Sequence, residues 1–183
     1  MGNLLRDRRK PEELAENSQL FEFTEKIGEF KRLEQIVGDD LEVLEAAKIP
    51  PGWRDAVVTG ELRFGFADAQ KTRPAVEGQV AATLQAVCQR CLQPMPLHLR
   101  VMVRLLFAEE SAEGPEGYEV WETGEERLRP IDLVEELLIM ELPFSAVHVD
   151  DAACKVAGTV VNERAGEMIR PFADLKTQMG KED

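Results

Sequence analysis

Leu97-His98-Leu99-Arg100-Val101-Met102-Val103-Arg104-Leu105-Leu106-Phe107 alternates apolar and polar side chains over most of its length. Successive side chains of a strand point to opposite faces, so this spacing predicts a strand with one face on a core and the other facing solvent or a partner. Leu97, Leu99, Val101, Val103, Leu105 and Phe107 fall on one face, and His98, Arg100, Met102 and Arg104 on the other. Upstream, residues 76–88 repeat the pattern through Val80, Ala82, Leu84 and Ala86, and residues 57–66 through Leu62, Phe64 and Phe66. Residues 68–74 read as a turn, as does the stretch around Cys88 and Cys91. Consecutive strands joined by short turns predict an antiparallel β-meander.

The second turn, Val87-Cys88-Gln89-Arg90-Cys91-Leu92-Gln93-Pro94, holds two of the three cysteines as Cys-x-x-Cys. That spacing admits three readings. Both sulfurs could point at one metal ion, as in a zinc knuckle. They could form a redox dithiol, although the βαβ context of a thioredoxin-like motif is missing. They could also be small buried residues of a tight turn. His148 and Cys154 would complete a four-ligand set with Cys88 and Cys91, whose sulfur and imidazole donors suit a structural Zn2+.

Cys-Gln-Arg-Cys-Leu-x-Pro between two long alternating runs resembles the centre of the bacterial YceD-like family, the large ribosomal RNA subunit accumulation proteins. Ile131 to Leu138 leading into Glu141-Leu142-Pro143, then His148 with Cys154, then Pro171 to Lys176, stand in matching order. Where family members carry further cysteines after the Leu-Pro step, this chain has only Cys154, with His148 before it. The resemblance implies a non-enzymatic factor in the synthesis, processing or accumulation of large-subunit 23S ribosomal RNA and in ribosome assembly. Its expected partners are ribosomal RNA or pre-50S particles.

Composition bounds the rest. A chain of 183 residues with 44 % hydrophobic content can bury a sizeable core, so a single α+β domain over 1–183 is expected. No apolar run of about 18 residues is present, and the N-terminus lacks the apolar stretch of a signal peptide. Three cysteines make no disulfide framework, so a cytoplasmic, reducing setting is expected. The net charge of −13 argues against a protein that coats nucleic acid as a whole. The charge is uneven, however. Residues 62–108 carry six basic and two acidic side chains, whereas 109–127 carry eight Glu and one Arg.

Residues 1–16 are expected to be flexible, with a short helix possible from Pro11. Leu20-Phe21-Glu22-Phe23-Thr24 alternates as a strand. Residues 28–37 carry a helical stripe that Gly38 would close, and Asp40 would cap a further helix. Residues 109–127 read as an acidic surface loop, with a short strand around Tyr118 to Trp121. Asp132 and Glu135 resemble a capping box at the start of a helix. Its stripe would be Leu133, Val134, Leu137, Leu138 and Met140, and Pro143 would stop it. This helix is expected on the apolar face of the sheet. Residues 171–179 suit a last short helix.

The basic strand face offers His98, Arg100 and Arg104, with Arg90 at the adjoining turn and Arg63 across the sheet, as candidate RNA contacts. Against this stands a solvated face whose arginines pair with acids. Stacking aromatics are few: Tyr118, Trp121 and Trp53. No phosphate loop, metalloprotease motif or nucleophile elbow appears, so neither an enzyme nor a small-molecule substrate is expected. The alternative reading is a zinc-stabilised adaptor that touches basic ribosomal proteins and never RNA.

Overall fold

The computed structural model describes residues 4–108, 115–122, 127–149 and residue 154. Five strands form one sheet: β1 (Leu20–Lys26), β2 (Val57–Phe66), β3 (Pro74–Val87), β4 (Pro94–Ala108) and β5 (Glu119–Glu122). They lie side by side in sequence order. The first three pairings are antiparallel, but β4 and β5 run parallel, with Leu105 beside Glu119. The sheet is therefore mixed, and the expectation of a wholly antiparallel meander is corrected at this edge. A parallel neighbour cannot be joined by a two-residue hairpin turn. The acidic loop thus contains a sheet strand; its residues 109–114 and 123–126, like the suggested helix at 171–179, lie outside the described residues.

Alternation decides which side of the sheet is covered. Val58, Leu62 and Phe64 on β2, Val76, Val80, Ala82 and Leu84 on β3, and Leu99, Val103, Leu105 and Phe107 on β4 are buried in one cluster. The registers Phe64↔Val76, Ala82↔Leu99 and Val80↔Val101 put these side chains opposite one another, so they share a face. Phe66 is only half-buried at the strand end. Gly78 lies between Leu62 and Val103, where a Cβ would sit 1.9 Å from the Glu61 carbonyl oxygen. Only glycine fits that approach.

Three helices contribute to the same core: α1 (Pro11–Glu16), α2 (Lys31–Leu41) and α3 (Pro130–Glu141). Leu14, Leu33, Val37, Leu41, Ile131, Leu133, Val134, Leu137 and Leu138 are buried with the sheet residues. Met140, expected in the stripe of α3, is instead 59 % exposed. Residues 4–16, within the segment expected to be flexible, make contacts with the rest of the chain. Leu5 and Leu14 are buried, Arg6 pairs with Glu25 and Glu29, and Arg9 and Leu128 exchange backbone hydrogen bonds. The apolar side chains between the charges supply the reason, since each buried leucine is worth roughly 1.5–3 kcal/mol.

Two helix boundaries also differ from expectation. Helix α2 runs through Gly38, whose missing side chain leaves room for the Trp53 ring at 3.3 Å from where a Cβ would be. Asp40 is inside the helix rather than capping another. Glu135 makes no capping box within α3. Its Oε1 accepts the backbone N–H groups of Arg32 and Leu33 at 2.8 and 3.2 Å, in the first turn of α2. The residue at the start of α2, Phe30, has no side-chain cap of its own. A buried carboxylate from α3 satisfies those orphan donors instead, and negative charge is favoured at a helix N-terminus.

Candidate functional site

The turn between β3 and β4 is built by backbone pairing at its mouth. Cys88 N–H donates to the Gln93 carbonyl at 2.9 Å, and Leu92 N–H donates to the Cys88 carbonyl at 2.8 Å. Leu92 takes a left-handed conformation, φ 53°, which closes the loop after the second cysteine. Two outside contacts fix the turn to the body. Asp40 Oδ2, at the end of α2, accepts the Val87 N–H at 2.8 Å. Gln89 N–H donates to the Ala146 carbonyl at 2.8 Å and so ties the turn to the segment that follows α3.

That tie delivers His148. Pro143 ends α3, the chain turns back past Ala146, and the imidazole reaches the thiols. His148 Nδ1 lies 3.5 Å from Cys91 Sγ and 3.4 Å from Cys154 Sγ, while Cys88 and Cys154 sulfurs are 3.8 Å apart. One ligand atom from each of the four residues lies within 4.8 Å of the others. A tetrahedral ion with bonds of about 2.3 Å to sulfur and about 2.0 Å to nitrogen separates sulfurs by about 3.8 Å and sulfur from nitrogen by about 3.5 Å. The three separations given above match those edges, so the residues present fit such an ion. Cys88 and Cys154 are buried, and Ala86 and Met95 pack around them.

The thiols perturb one another. Burial opposes ionisation of Cys88, yet the backbone N–H groups of Cys91, His148 and Arg90, together with the Cys91 thiol, bring it down to about 5. Burial, then hydrogen bonds and charge from Cys88 and Cys91, push Cys154 up to about 11. Opposed shifts are what like groups crowded into one site produce.

The sheet face away from the core carries the candidate basic residues, and register decides their company. Glu77 stands opposite both Arg63 on β2 and Arg104 on β4. Arg104 Nε is 3.7 Å from Glu77, its guanidinium lies 4.9 Å from the Tyr118 ring centroid, and the Tyr118 hydroxyl donates to the Glu77 carboxylate. Arg63 approaches Glu61 at 3.5 Å. His98 Nδ1 meets the Thr83 hydroxyl at 3.1 Å. Arg100, opposite Ala81, is exposed and makes no ion pair among the described residues. Arg90 is exposed in the cysteine turn. These residues share one open surface, but they are not a field of uncompensated charge. The acids that balance them are Glu61, on the same strand as Arg63, and Glu77, on the strand beside Arg104, and both lie outside the acidic run.

One site residue gave no signal in the sequence as a ligand-positioning group: Asp40, which holds the strand end next to Cys88. Its partner is a backbone N–H 47 positions away, and no local pattern marks such a bond.

No helix among the described residues is long and apolar enough to cross a membrane. Comparison with curated proteins and with solved structures finds no match. One protein family matches residues 76–177, more than half of the chain. The match takes in β3 from Val76, the cysteine turn, β4, β5, α3, His148 and Cys154, and leaves Arg63 outside. By that match the chain belongs to the YceD family, described as large ribosomal RNA subunit accumulation protein YceD.

Proposed function

We propose that the protein is a non-enzymatic factor in the synthesis, processing or accumulation of large-subunit 23S ribosomal RNA, acting in the cytoplasm during assembly of the large ribosomal subunit. Membership of the YceD family over residues 76–177 carries this reading. Its partners are ribosomal RNA or pre-50S particles, and it has no small-molecule substrate. The test is the ratio of 23S to 16S ribosomal RNA in cells from which the protein is depleted. The ratio should fall and recover when the parent chain is supplied. An unchanged ratio would refute the role.

The Cys88, Cys91, His148 and Cys154 cluster holds a structural zinc ion, on the support of the inter-ligand distances above. The ion would fasten the segment after α3 to the β3–β4 turn. Purified protein should contain one zinc per chain by mass spectrometry, and Cys88→Ser should lose it. A parent chain purified without chelator that carries far less than one equivalent would contradict the assignment.

RNA contact runs through Arg100 and His98 on the open face, with Arg90 at its margin. Arg104 and Arg63 join by exchanging their carboxylate partners for phosphate. That exchange is cheap, because exposed pairs are worth only about 0.2–1 kcal/mol each. A second reading has its own observation. The pairing of Arg63 and Arg104 with glutamates, in a chain of net charge −13, favours an adaptor for basic ribosomal proteins without RNA contact. Capture from nuclease-treated lysate separates the two: the adaptor keeps its ribosomal proteins, and the RNA-dependent factor loses them.

A further inference from the structure

A second gathering of arginines lies around the partly buried ring of Trp121. Arg8 from the N-terminal segment, Arg32 from α2, and Arg127 and Arg129 from the stretch before α3 line one depression of about 440 Å³, with Trp121 of β5 in its wall. Arg8 and Arg32 are far in sequence from each other and from the 121–129 stretch, and the fold brings them together. Three acids, Glu122, Asp132 and Glu136, line the same depression. Two of them are engaged: Glu136 with Arg32 Nη1 and Asp132 with Arg129 Nε, each at 2.6 Å. A guanidinium carries five N–H donors in a rigid fork. Each bridge therefore holds a fork in place on one side and leaves further donors for a ligand. Arg127 is exposed and makes no ion pair among the described residues.

Trp121 is half-buried, packed on one side against the main core. An indole fixed in this way offers a preset plane. Unpaired bases stack on such planes, while guanidinium forks match phosphate oxygens. The volume is in the range of clefts that hold a small ligand, about 300–1,000 Å³. We propose that this depression binds one unpaired nucleotide of single-stranded RNA, the base against Trp121 and the flanking phosphates at Arg127 and the forks of Arg32 and Arg129. The proposal rests on the RNA reading above and adds a contact site separate from the open sheet face.

The chain has two tryptophans, so a Trp53→Phe background leaves Trp121 as the sole indole reporter. An end-labelled oligoadenylate of about eight nucleotides, a length that one single-strand site spans, is titrated into this protein. Label anisotropy and indole emission are read together. Binding should quench Trp121, and Arg127→Glu should weaken both signals at least tenfold. It should also lower the salt slope by about 0.7 for each phosphate that is no longer neutralised. Binding by anisotropy with unmoved Trp121 emission and an indifferent Arg127→Glu variant would overturn the site while leaving the RNA reading intact. No binding of any RNA, ribosomal RNA included, would overturn both. Equal quenching by polyglutamate would make this a site for acidic peptides and would also overturn the proposal.

Discussion

The main core and the cysteine corner are both buried, yet they are built from different material. Under the sheet, large side chains interlock: Phe21 meets Phe64 edge-on at 5.7 Å, and Phe64 stacks on Phe107 at 6.0 Å between centroids. Phe30, Leu62, Leu84 and Leu138 are fully enclosed. Among the described residues, the corner at the other end of β3 has only Ala86, Cys88, Met95 and Cys154 as buried members. Burial is worth roughly 25 cal/mol per Å² of apolar surface, so a cluster of small side chains cannot by area alone fasten residues 142–149. One region is held by area. The other has ligand geometry in place of area, and a metal ion is the device that geometry suits.

The largest effect should come from removing the proposed zinc ion. Strong chelation of zinc-loaded protein should leave amide exchange in β2, β3 and β4 nearly unchanged. Amides of 146–149 should lose protection by about a thousandfold if zinc had been at a thousand times its dissociation constant. Global unfolding on chelation would erase the contrast between the two regions, and unchanged exchange at 146–149 would remove the metal from the account.

Next comes Leu138→Ala, which truncates a fully buried side chain of α3. It should cost about 3 kcal/mol by denaturant titration, within the usual range for buried leucines, and leave zinc content at parent level. A loss below about 1 kcal/mol would misplace the residue. Smaller again is Glu135→Ala, which strands the N–H groups of Arg32 and Leu33. Hydrogen bonds to a charged group are worth about 1.5–3 kcal/mol, so a loss of about 2 kcal/mol is expected, with exchange faster in the first turn of α2. If α2 exchange does not change, the cross-helix cap has no energetic weight.

The smallest effect belongs to the corner. Leu92 sits at φ 53° and is 60 % exposed. A left-handed conformation costs a residue with a Cβ roughly 1–2 kcal/mol, while glycine loses more unfolded-state freedom, about 0.5–1 kcal/mol. Leu92→Gly should therefore stabilise by up to about 1 kcal/mol and retain zinc. Destabilisation by more than that would show that Leu92 contributes contacts the exposed position hides.

The two regions also differed in how much of them was legible in the sequence. Strand β4, the partner run through Val80 to Ala86 and the apolar positions Leu133, Val134, Leu137 and Leu138 were legible because their periodicity is local. The four ligand candidates were legible by residue type alone, since few residues supply sulfur or imidazole. What held them together was not. The Asp40 carboxylate accepts the Val87 N–H and the Gln89 N–H donates to the Ala146 carbonyl, bonds to distant backbone groups that no local pattern records. The parallel pairing of β5 escaped for a similar reason, because alternation records the faces of a strand and not its direction.

By itself the sequence determined the strand faces, the apolar stripe of α3 apart from Met140, the family resemblance and the identity of the soft ligands. Each of these follows from nearest-neighbour periodicity or side-chain chemistry. Tertiary structure alone decided that Glu135 caps a helix about a hundred positions away and that Glu77 stands between Arg63 and Arg104. It also gathered Arg8, Arg32, Arg127 and Arg129 around Trp121. The physical reason is the same in each case. A charge's environment depends on distance through space, and register and packing set that distance independently of separation along the chain.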